Sequence, residues 1–288
     1  MTGIERIRWT PPADWSQAYD NRAAVGMAEV EAFIARITAE AEDFRTDMTA
    51  NGRATIDQAY GDHERQRYDL FLPETSPTAL AVFVHGGYWR AFDKSFWSHL
   101  ARGPLARGAA VAMPSYRLCP EVRVSDITKD VTRFLEKVAS DFDLPIRLAG
   151  HSAGGHLVTR FASNVLDPAS GALDRGLFSR VAKIVSISGV HDLRPLIKTG
   201  MNDDLRLDLA EARAESPILL DPLDGVDLTC WAGADETTAF RLQSHQLAEV
   251  WGGLGVRTEA VEAAGLNHFT VVDDLADPES ALTETLMA

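Results

Sequence analysis

Cysteine is scarce in this chain, with Cys119 and Cys230 the only two among 288 residues. Both lie beside apolar runs, so we interpret them as core residues and not as a disulfide or a pair of metal ligands. A chain of this length buries roughly three quarters of its unfolded surface and needs no covalent staple to hold its core. The low cysteine content therefore argues against the class of small disulfide-bonded or zinc-bonded domains.

Positive charge is also in short supply. The chain has 28 Lys and Arg against 42 Asp and Glu, which gives a formal net charge of -14. A nucleic-acid surface needs clustered Lys and Arg to neutralise phosphates, so this balance argues against a nucleic-acid partner. We interpret the excess of acid as a solvated acidic surface.

Long hydrophobic runs are missing as well. No uninterrupted apolar run nears about eighteen residues, so we expect no transmembrane helix and no membrane partner. The first residues include Glu5, Arg6 and Arg8 and no apolar core of a secretory signal, which makes the cytoplasm the default location. Without repeats, low-complexity tracts or long linkers, the chain is expected to form a single domain over residues 1–288.

Short apolar runs do occur, and they alternate with amphipathic stretches. Near-continuous runs of this length are typical of strands buried on both faces of a parallel sheet. Upstream, residues 54–60 and 66–72 alternate polar and apolar side chains around Gly61 and Asp62, which predicts an antiparallel hairpin. The pattern predicts an α/β fold, with a mostly parallel central sheet, helices on both faces and an antiparallel N-terminal hairpin. The apolar runs are 80–85, 109–113, 146–150, 184–188, 228–231 and 256–261.

Two of the predicted helices can be described further from the sequence. One begins near Ser125, which we expect to be its N-cap. The other lies in the N-terminal segment, residues 1–50, outside the strand–helix alternation. It either packs over an edge of the sheet or caps the active site, and the sequence leaves both open. Its apolar face consists of Val30, Phe33, Ile34, Ile37 and Ala41.

The sharpest local motif is GHSAG at 150–154, a G-x-S-x-G pentapeptide. Chance alone produces this pattern in roughly a tenth of chains this long, so its context matters. Residues 146–149 are predicted to form a strand and 155–162 a helix, which is the strand–turn–helix setting of a nucleophile elbow. We therefore predict that Ser152 is the nucleophile and that the helix N-terminus stabilises the developing oxyanion.

A second motif, HGGYW at 85–89, follows the predicted strand at 80–84. Two glycines let the loop aim backbone N–H groups at a reacting carbonyl, as in esterases with an HGGG-type loop. We expect oxyanion donors from Gly87, Tyr88 and Ala153, and substrate contacts from Tyr88 and Trp89. By itself the motif fits a tight turn with aromatic packing equally well, and its pairing with the elbow favours function.

A catalytic triad also needs a histidine and an acid that follow the serine. His156, His191, His245 and His268 follow Ser152, and we consider the last three as candidates for the base. His268 follows the last predicted strand and a turn, where this type of fold delivers its base, so we predict His268 as the general base. The acid is expected just after the strand at 228–231, and the residues alone do not separate Asp235 from Glu236.

Together these residues resemble the kynurenine formamidase (arylformamidase) branch of the α/β-hydrolases, near the hormone-sensitive-lipase-like esterases. The resemblance runs from about residue 54 to 274 and implies Glu236 as the acid, from the register of Gly233 and Phe240. The family often has Asp at that position and Pro-Glu before the phenylalanine, where this chain has Thr238-Ala239. The matching motifs are HGGYW at 85–89 with Lys94, SYRLCP at 115–120, GHSAGGHL at 150–157, SGVHDL at 188–193 and NHF at 267–269; DNR at 20–22 resembles a segment that bacterial members fold toward the active site.

The resemblance implies a serine hydrolase that uses no cofactor and no metal and cleaves a small-molecule acyl amide or ester. N-formyl amides of aromatic amines are the substrates it implies, with a general carboxylesterase as the alternative. A ligand-binding module that has lost catalysis is a more remote alternative, which fluorophosphonate labelling would separate from an enzyme. The sequence leaves the oligomeric state open, a homodimer included.

Overall fold

The structure is a computed structural model that describes residues 11–163 and 175–288. In this part of the chain, eight strands form one mixed sheet in the order β1-β2-β4-β3-β5-β6-β7-β8. β1 and β2 form an antiparallel hairpin, β2 runs antiparallel to β4, and the remaining pairs are parallel. The strands are β1 (Ala54–Ala59), β2 (Arg67–Phe71), β3 (Ala79–Val84), β4 (Ala109–Pro114), β5 (Ile146–His151), β6 (Val181–Ile187), β7 (Asp227–Gly233) and β8 (Arg257–Ala263).

Helices cover both faces of the sheet and create a separate core on each. Along β3, Leu80 and Val82 point into one core, and Ala81 and Phe83 point into the other. This alternation follows from the two-residue period of a strand. The helices are α1 (Trp15–Ala18), α2 (Asn21–Val25), α3 (Met27–Ala50), α4 (Arg102–Ala106), α5 (Val124–Asp141), α6 (Ala153–Phe161), α7 (Arg175–Phe178), α8 (Asn202–Leu205), α9 (Leu209–Ala214), α10 (Thr238–Gly253) and α11 (Ala281–Met287), with 3₁₀ turns at Lys94–Ala101, Arg194–Lys198, Pro217–Leu219 and Thr270–Ala276.

The predicted α/β-hydrolase fold, with its parallel sheet and N-terminal hairpin, is confirmed. Every predicted apolar run falls on a strand, and β3 and β4 are buried along their whole length. β8 differs from the expected strand buried on both faces, since its residues are exposed or half-buried. Among the described residues it pairs only with β7 and lies at the end of the strand order, so no described strand borders its other edge.

The start of α5 also differs from the prediction. The helix begins at Val124 with Arg123 as its N-cap residue, so Ser125 lies inside the first turn. The Ser125 hydroxyl donates to Glu211 at 2.9 Å, and the Arg123 guanidinium pairs with the same carboxylate. A tertiary contact with Glu211 therefore sets the position of the serine, which the local sequence pattern does not reveal.

Both cysteines are free and buried, as expected for core residues. Burial raises the pKa of Cys119 and of Cys230 to about 12. In the ranges 11–163 and 175–288, no helix combines the length and the apolar composition that crossing a bilayer requires.

Candidate active site

Ser152 lies at the turn between β5 and α6, at the carboxyl end of the central strand. Its backbone has φ 54° and ψ -116°, a left-handed conformation that is strained for a residue with a side chain. Its N–H donates to the Ile187 carbonyl at 2.8 Å, which ties the turn to β6. A Cβ on Gly154 would lie 1.9 Å from the Val84 carbonyl oxygen, so this turn requires glycine there. The structure thus has the strand, sharp turn and helix that the G-x-S-x-G motif predicts.

His268 and Glu236 form a buried pair. His268 Nδ1 lies 2.8 Å from Glu236 Oε2, and both side chains are almost completely buried. Asp235 is exposed, and its backbone N–H donates to the Leu266 carbonyl. Of the two carboxylates that the residues alone left open, the structure brings Glu236 to the histidine. A proton held on Nδ1 by the carboxylate leaves Nε2 free to accept one.

Ser188 is a site residue to which the sequence analysis gave no role. The Ser188 hydroxyl donates to Glu236 Oε1 at 2.5 Å, and the Gly233 N–H donates to the same oxygen at 2.7 Å. These two bonds orient the carboxylate toward His268 and satisfy its second oxygen. Ser188 directly follows β6, and the carboxyl ends of parallel strands meet at one edge of a sheet. That position is the signal that could have revealed it.

Aromatic rings surround the His268 imidazole. The His151 and Phe240 rings have centroids 4.8 Å and 4.5 Å from that of His268. His151 Nε2 lies 2.9 Å from the His268 carbonyl oxygen and must be the donor, because a carbonyl only accepts. Burial lowers the pKa of His151 well below its usual range, so this ring is neutral. The residue next to the nucleophile therefore holds the backbone of His268 in place.

The loop at 85–92 carries the other predicted donors, and we call it the oxyanion loop. Gly87, Tyr88 and Trp89 have φ values of 117°, 49° and 56°. Among the described residues, neither the Gly87 nor the Tyr88 N–H donates to another group of the chain. The Ala153 N–H is in the first turn of α6, where a helix provides no internal acceptor. Gly87 and Tyr88 line the cavity that Ser152 also lines, and Ala153 directly follows Ser152 in the chain.

Trp89 departs from the prediction that it contacts substrate. Its ring is fully buried in the core and does not line the cavity that Ser152 faces. The indole turns back toward α6, where Nε1 donates to His156 Nδ1 at 3.2 Å. Tyr88, the other predicted contact, does line the cavity, and so does Trp97.

The cavity beside Ser152 has a volume of about 590 Å³, within the range of small-molecule sites. Ser152 and His268 both line it, although no hydrogen bond joins their side chains among the described residues. Within the described ranges, no group of three or more His, Cys, Asp or Glu side chains is arranged to hold a metal ion. The aromatic residues that line the cavity are Tyr19, Phe33, Tyr88, Phe92, Trp97 and Phe269.

The N-terminal segment forms one wall of this cavity. The Tyr88 hydroxyl donates to the Tyr19 carbonyl at 2.5 Å and accepts from Asn21 Nδ2 at 3.3 Å. Gln243 Nε2 donates to the Tyr19 hydroxyl at 2.9 Å. In α3, Phe33 both packs in the core under the sheet and lines the cavity. Helix α3 thus packs on the sheet and also lines the cavity. The sequence analysis had given packing and capping as alternatives.

The BD-FAE family profile matches residues 68–218, just over half of the chain, and this range includes Ser152 and the oxyanion loop. The chain belongs to the BD-FAE family. This BD-FAE protein is 28% identical to the kynurenine formamidase of Drosophila melanogaster, over 96% of its own length and 93% of the relative's. It is 27% identical to the kynurenine formamidase of Danio rerio, over 81% and 80% of the two lengths.

Solved structures give the same fold. A crystal structure from Silicibacter sp. tm1040, provisionally described as a thioesterase, is 45% identical to this BD-FAE protein. The superposition covers 95% of this chain and 98% of the Silicibacter chain, with a TM-score of 0.87. An esterase from Pyrobaculum calidifontis, 20% identical over 90% of this chain and 91% of its own, has a TM-score of 0.69 and shows the fold alone. The protein is a kynurenine formamidase-like α/β-hydrolase, so the resemblance inferred from the motifs is confirmed.

Proposed function

We propose that this protein is a serine hydrolase that removes a small acyl group, and above all N-formyl, from an aromatic amine such as N-formylkynurenine. The observation that carries the proposal is the buried His268–Glu236 pair, whose histidine lines the same cavity as Ser152 at a nucleophile elbow. We assign Ser152 as nucleophile, His268 as general base and Glu236 as the acid that orients it.

In the proposed reaction, His268 Nε2 takes the Ser152 proton as the serine oxygen attacks the formyl carbon. The N–H groups of Gly87, Tyr88 and Ala153 stabilise the oxyanion of the tetrahedral intermediate. The carbon–nitrogen bond then breaks, and protonated His268 gives its proton to the departing aniline. A water molecule, deprotonated by His268, attacks the formyl ester on Ser152 and releases formate and the free serine.

The aromatic lining supports an aromatic amine as the leaving group. Phe33 of α3, and Phe92 and Trp97 in and just after the oxyanion loop, line the cavity. The relatives named kynurenine formamidase support the same substrate class. An aniline leaves more easily than an alkyl amine, so a serine triad can expel it without additional acid catalysis.

The N-terminal segment, residues 1–50, acts in this proposal as a cap within a single domain of 288 residues. The bonds of Tyr88 to Tyr19 and Asn21 support that role, since they connect the segment to the oxyanion loop. The partners we propose are small-molecule acyl amides or esters, in the cytoplasm, without nucleic acid or membrane.

The test is a comparison of kcat/KM on N-formylkynurenine, p-nitrophenyl acetate, p-nitrophenyl butyrate and a short acyl thioester. We expect efficient hydrolysis of the formamide. Nitrophenyl esters have activated leaving groups, so their hydrolysis alone shows only that the triad works. Ser152→Ala should reduce turnover by up to about a millionfold and abolish fluorophosphonate labelling. Efficient ester hydrolysis without deformylation would leave a carboxylesterase, and preference for the thioester would favour the activity described for the Silicibacter relative.

A further inference from the structure

A buried hydrogen bond joins the oxyanion loop to the helix that follows Ser152. The Trp89 indole N–H donates to His156 Nδ1 at 3.2 Å, and the two rings meet at 83° with centroids 5.1 Å apart. Both side chains are fully buried. Trp89 directly follows Tyr88, and the His156 N–H donates to the Ser152 carbonyl at 3.1 Å. The contact therefore links the residue next to Tyr88, a proposed oxyanion donor, to the residue whose N–H bonds the Ser152 carbonyl.

The surroundings of His156 fix which of its nitrogens carries the proton. Nε2 lies 2.7 Å from the Glu215 carbonyl oxygen, so Nε2 is the donor and Nδ1 is left as an acceptor for Trp89. Burial lowers the pKa of His156 to about 3, so the ring is neutral and Nδ1 stays bare at ordinary pH. Glu215 is itself held, since its carboxylate accepts from Thr128 at 2.7 Å and pairs with Arg160 at 3.3 Å.

The oxyanion loop needs such a tie because of its backbone. Tyr88 and Trp89 both have left-handed φ values, which are strained for residues with side chains. The loop keeps this strained conformation only because contacts with the surrounding structure stabilise it. A displacement of about 1 Å at a catalytic group can reduce the rate about 100-fold, so the loop has little tolerance.

We propose that the Trp89–His156 hydrogen bond sets the position of the Gly87 and Tyr88 N–H groups relative to Ser152. Trp89 and His156 are then positioning residues for acyl transfer, and neither touches the substrate. This inference rests on the proposed serine mechanism and adds the contact that aligns its oxyanion donors with its nucleophile.

Three substitutions separate the two bonds of His156. Trp89→Phe keeps an aromatic ring and removes the donor. His156→Gln can still donate to the Glu215 carbonyl but lacks the acceptor at the Nδ1 position, whereas His156→Asn keeps that acceptor. We expect Trp89→Phe and His156→Gln to lower kcat about 10- to 100-fold with little change in KM, and His156→Asn to retain more activity. The double variant should be no worse than the poorer single one, because both remove the same bond.

A second measurement distinguishes positioning from general damage. An aryl trifluoromethyl ketone forms an adduct on Ser152 that carries an oxyanion, whereas the amine product binds without one. Trp89→Phe should raise the inhibition constant of the ketone by the same factor by which it lowers kcat/KM. The affinity for the amine product should not change. Trp251→Phe is the matched control, since Trp251 is fully buried, donates to the Pro217 and Leu220 carbonyls at 3.1 Å and does not line the cavity. It should lower the melting temperature and leave kcat unchanged.

The outcomes keep the two proposals apart. Folded Trp89→Phe with wild-type kcat and ketone affinity would overturn the positioning role, as would an equal loss of kcat in Trp251→Phe. If His156→Gln fails to fold, Trp89→Phe decides alone. If the wild-type protein cleaves p-nitrophenyl acetate but no formamide, the substrate proposal fails, and the same variants assayed on the ester still test the positioning role.

Discussion

Glu236 and Asp235 are neighbours in sequence and differ sharply in their surroundings. Glu236 is buried against His268, and Asp235 is exposed. We expect Glu236→Gln to lower kcat about ten-thousandfold, because the imidazole loses its tautomer and the stabilisation of its protonated form. Asp235→Asn, the matched control, should change kcat little. Steady-state kinetics on both variants, with circular dichroism to verify folding, measures the difference, and the opposite ranking would move the acid to Asp235.

Residue patterns predicted which parts of the chain meet, but not the direction of every side chain. The motifs around Ser152 and His268 placed both residues at the carboxyl edge of the sheet, where the structure has them. The aromatic residues near the oxyanion loop fit a substrate wall and core packing equally well, and the Trp89 indole turns into the core. The left-handed backbone of the loop decides that direction, and φ values cannot be read from the letters of a motif.

The N-terminal segment is the element whose role a single hydroxyl group can test. Tyr88→Phe removes the oxygen that bonds both Tyr19 and Asn21 but keeps the Tyr88 backbone N–H. We expect KM for the aromatic formamide to rise severalfold and kcat to fall less, because the loosened segment lines the cavity wall. Cleavage by trypsin after exposed Arg22 should become faster.

Tyr68→Phe is the control for this substitution. Tyr68 is a buried tyrosine of β2 whose hydroxyl bonds Asp141 at 3.5 Å, and it does not line the cavity. Loss of the Tyr68 hydroxyl should leave KM and the rate of trypsin cleavage unchanged. If Tyr88→Phe also leaves both unchanged, the segment does not act as a cap.

Element by element, hydrophobic periodicity predicted the strands well and the ends and edges of elements less well. Runs such as 109–113 became buried strands because both faces of the sheet are covered. Val250 and Leu254, which look like part of one apolar helix face, are 39% and 53% exposed. Periodicity reports which residues share a face, whereas the neighbouring elements decide how far that face is covered.

Across the whole molecule, buried neutral histidines should make stability fall in mild acid. Burial lowers the pKa of His85 to about 4 and those of His156 and His191 to about 3. In the unfolded chain these rings gain a proton below pH ~6.5, and in the folded protein they do not, so the unfolded state binds more protons. Their stabilising effect is full above pH ~6.5 and is lost as the pH falls toward 4, by about 1.4 kcal/mol per pH unit for each histidine.

Three carboxyl groups act in the opposite sense, because burial raises the pKa values of Glu215, Asp273 and Asp274. Burial raises the pKa of Asp273 to about 6, so the folded state binds this proton first and gains stability as the pH falls from 6 toward 4. Burial lowers the pKa values of His99 and His151 as well, so five histidines oppose three carboxyl groups. We therefore expect the urea midpoint to be clearly lower at pH 5 than at pH 7.5. Equal midpoints at the two pH values would contradict the prediction.

The buried thiols have a practical consequence for anyone who labels this protein. With pKa values of about 12, Cys119 and Cys230 hold almost no thiolate at neutral pH, and the thiolate is the form that reacts with maleimides. Toward such reagents the folded protein behaves as though it had no cysteine. A single cysteine introduced at Met27, which is 53% exposed at the start of α3, would therefore take up one fluorescent dye at a known position.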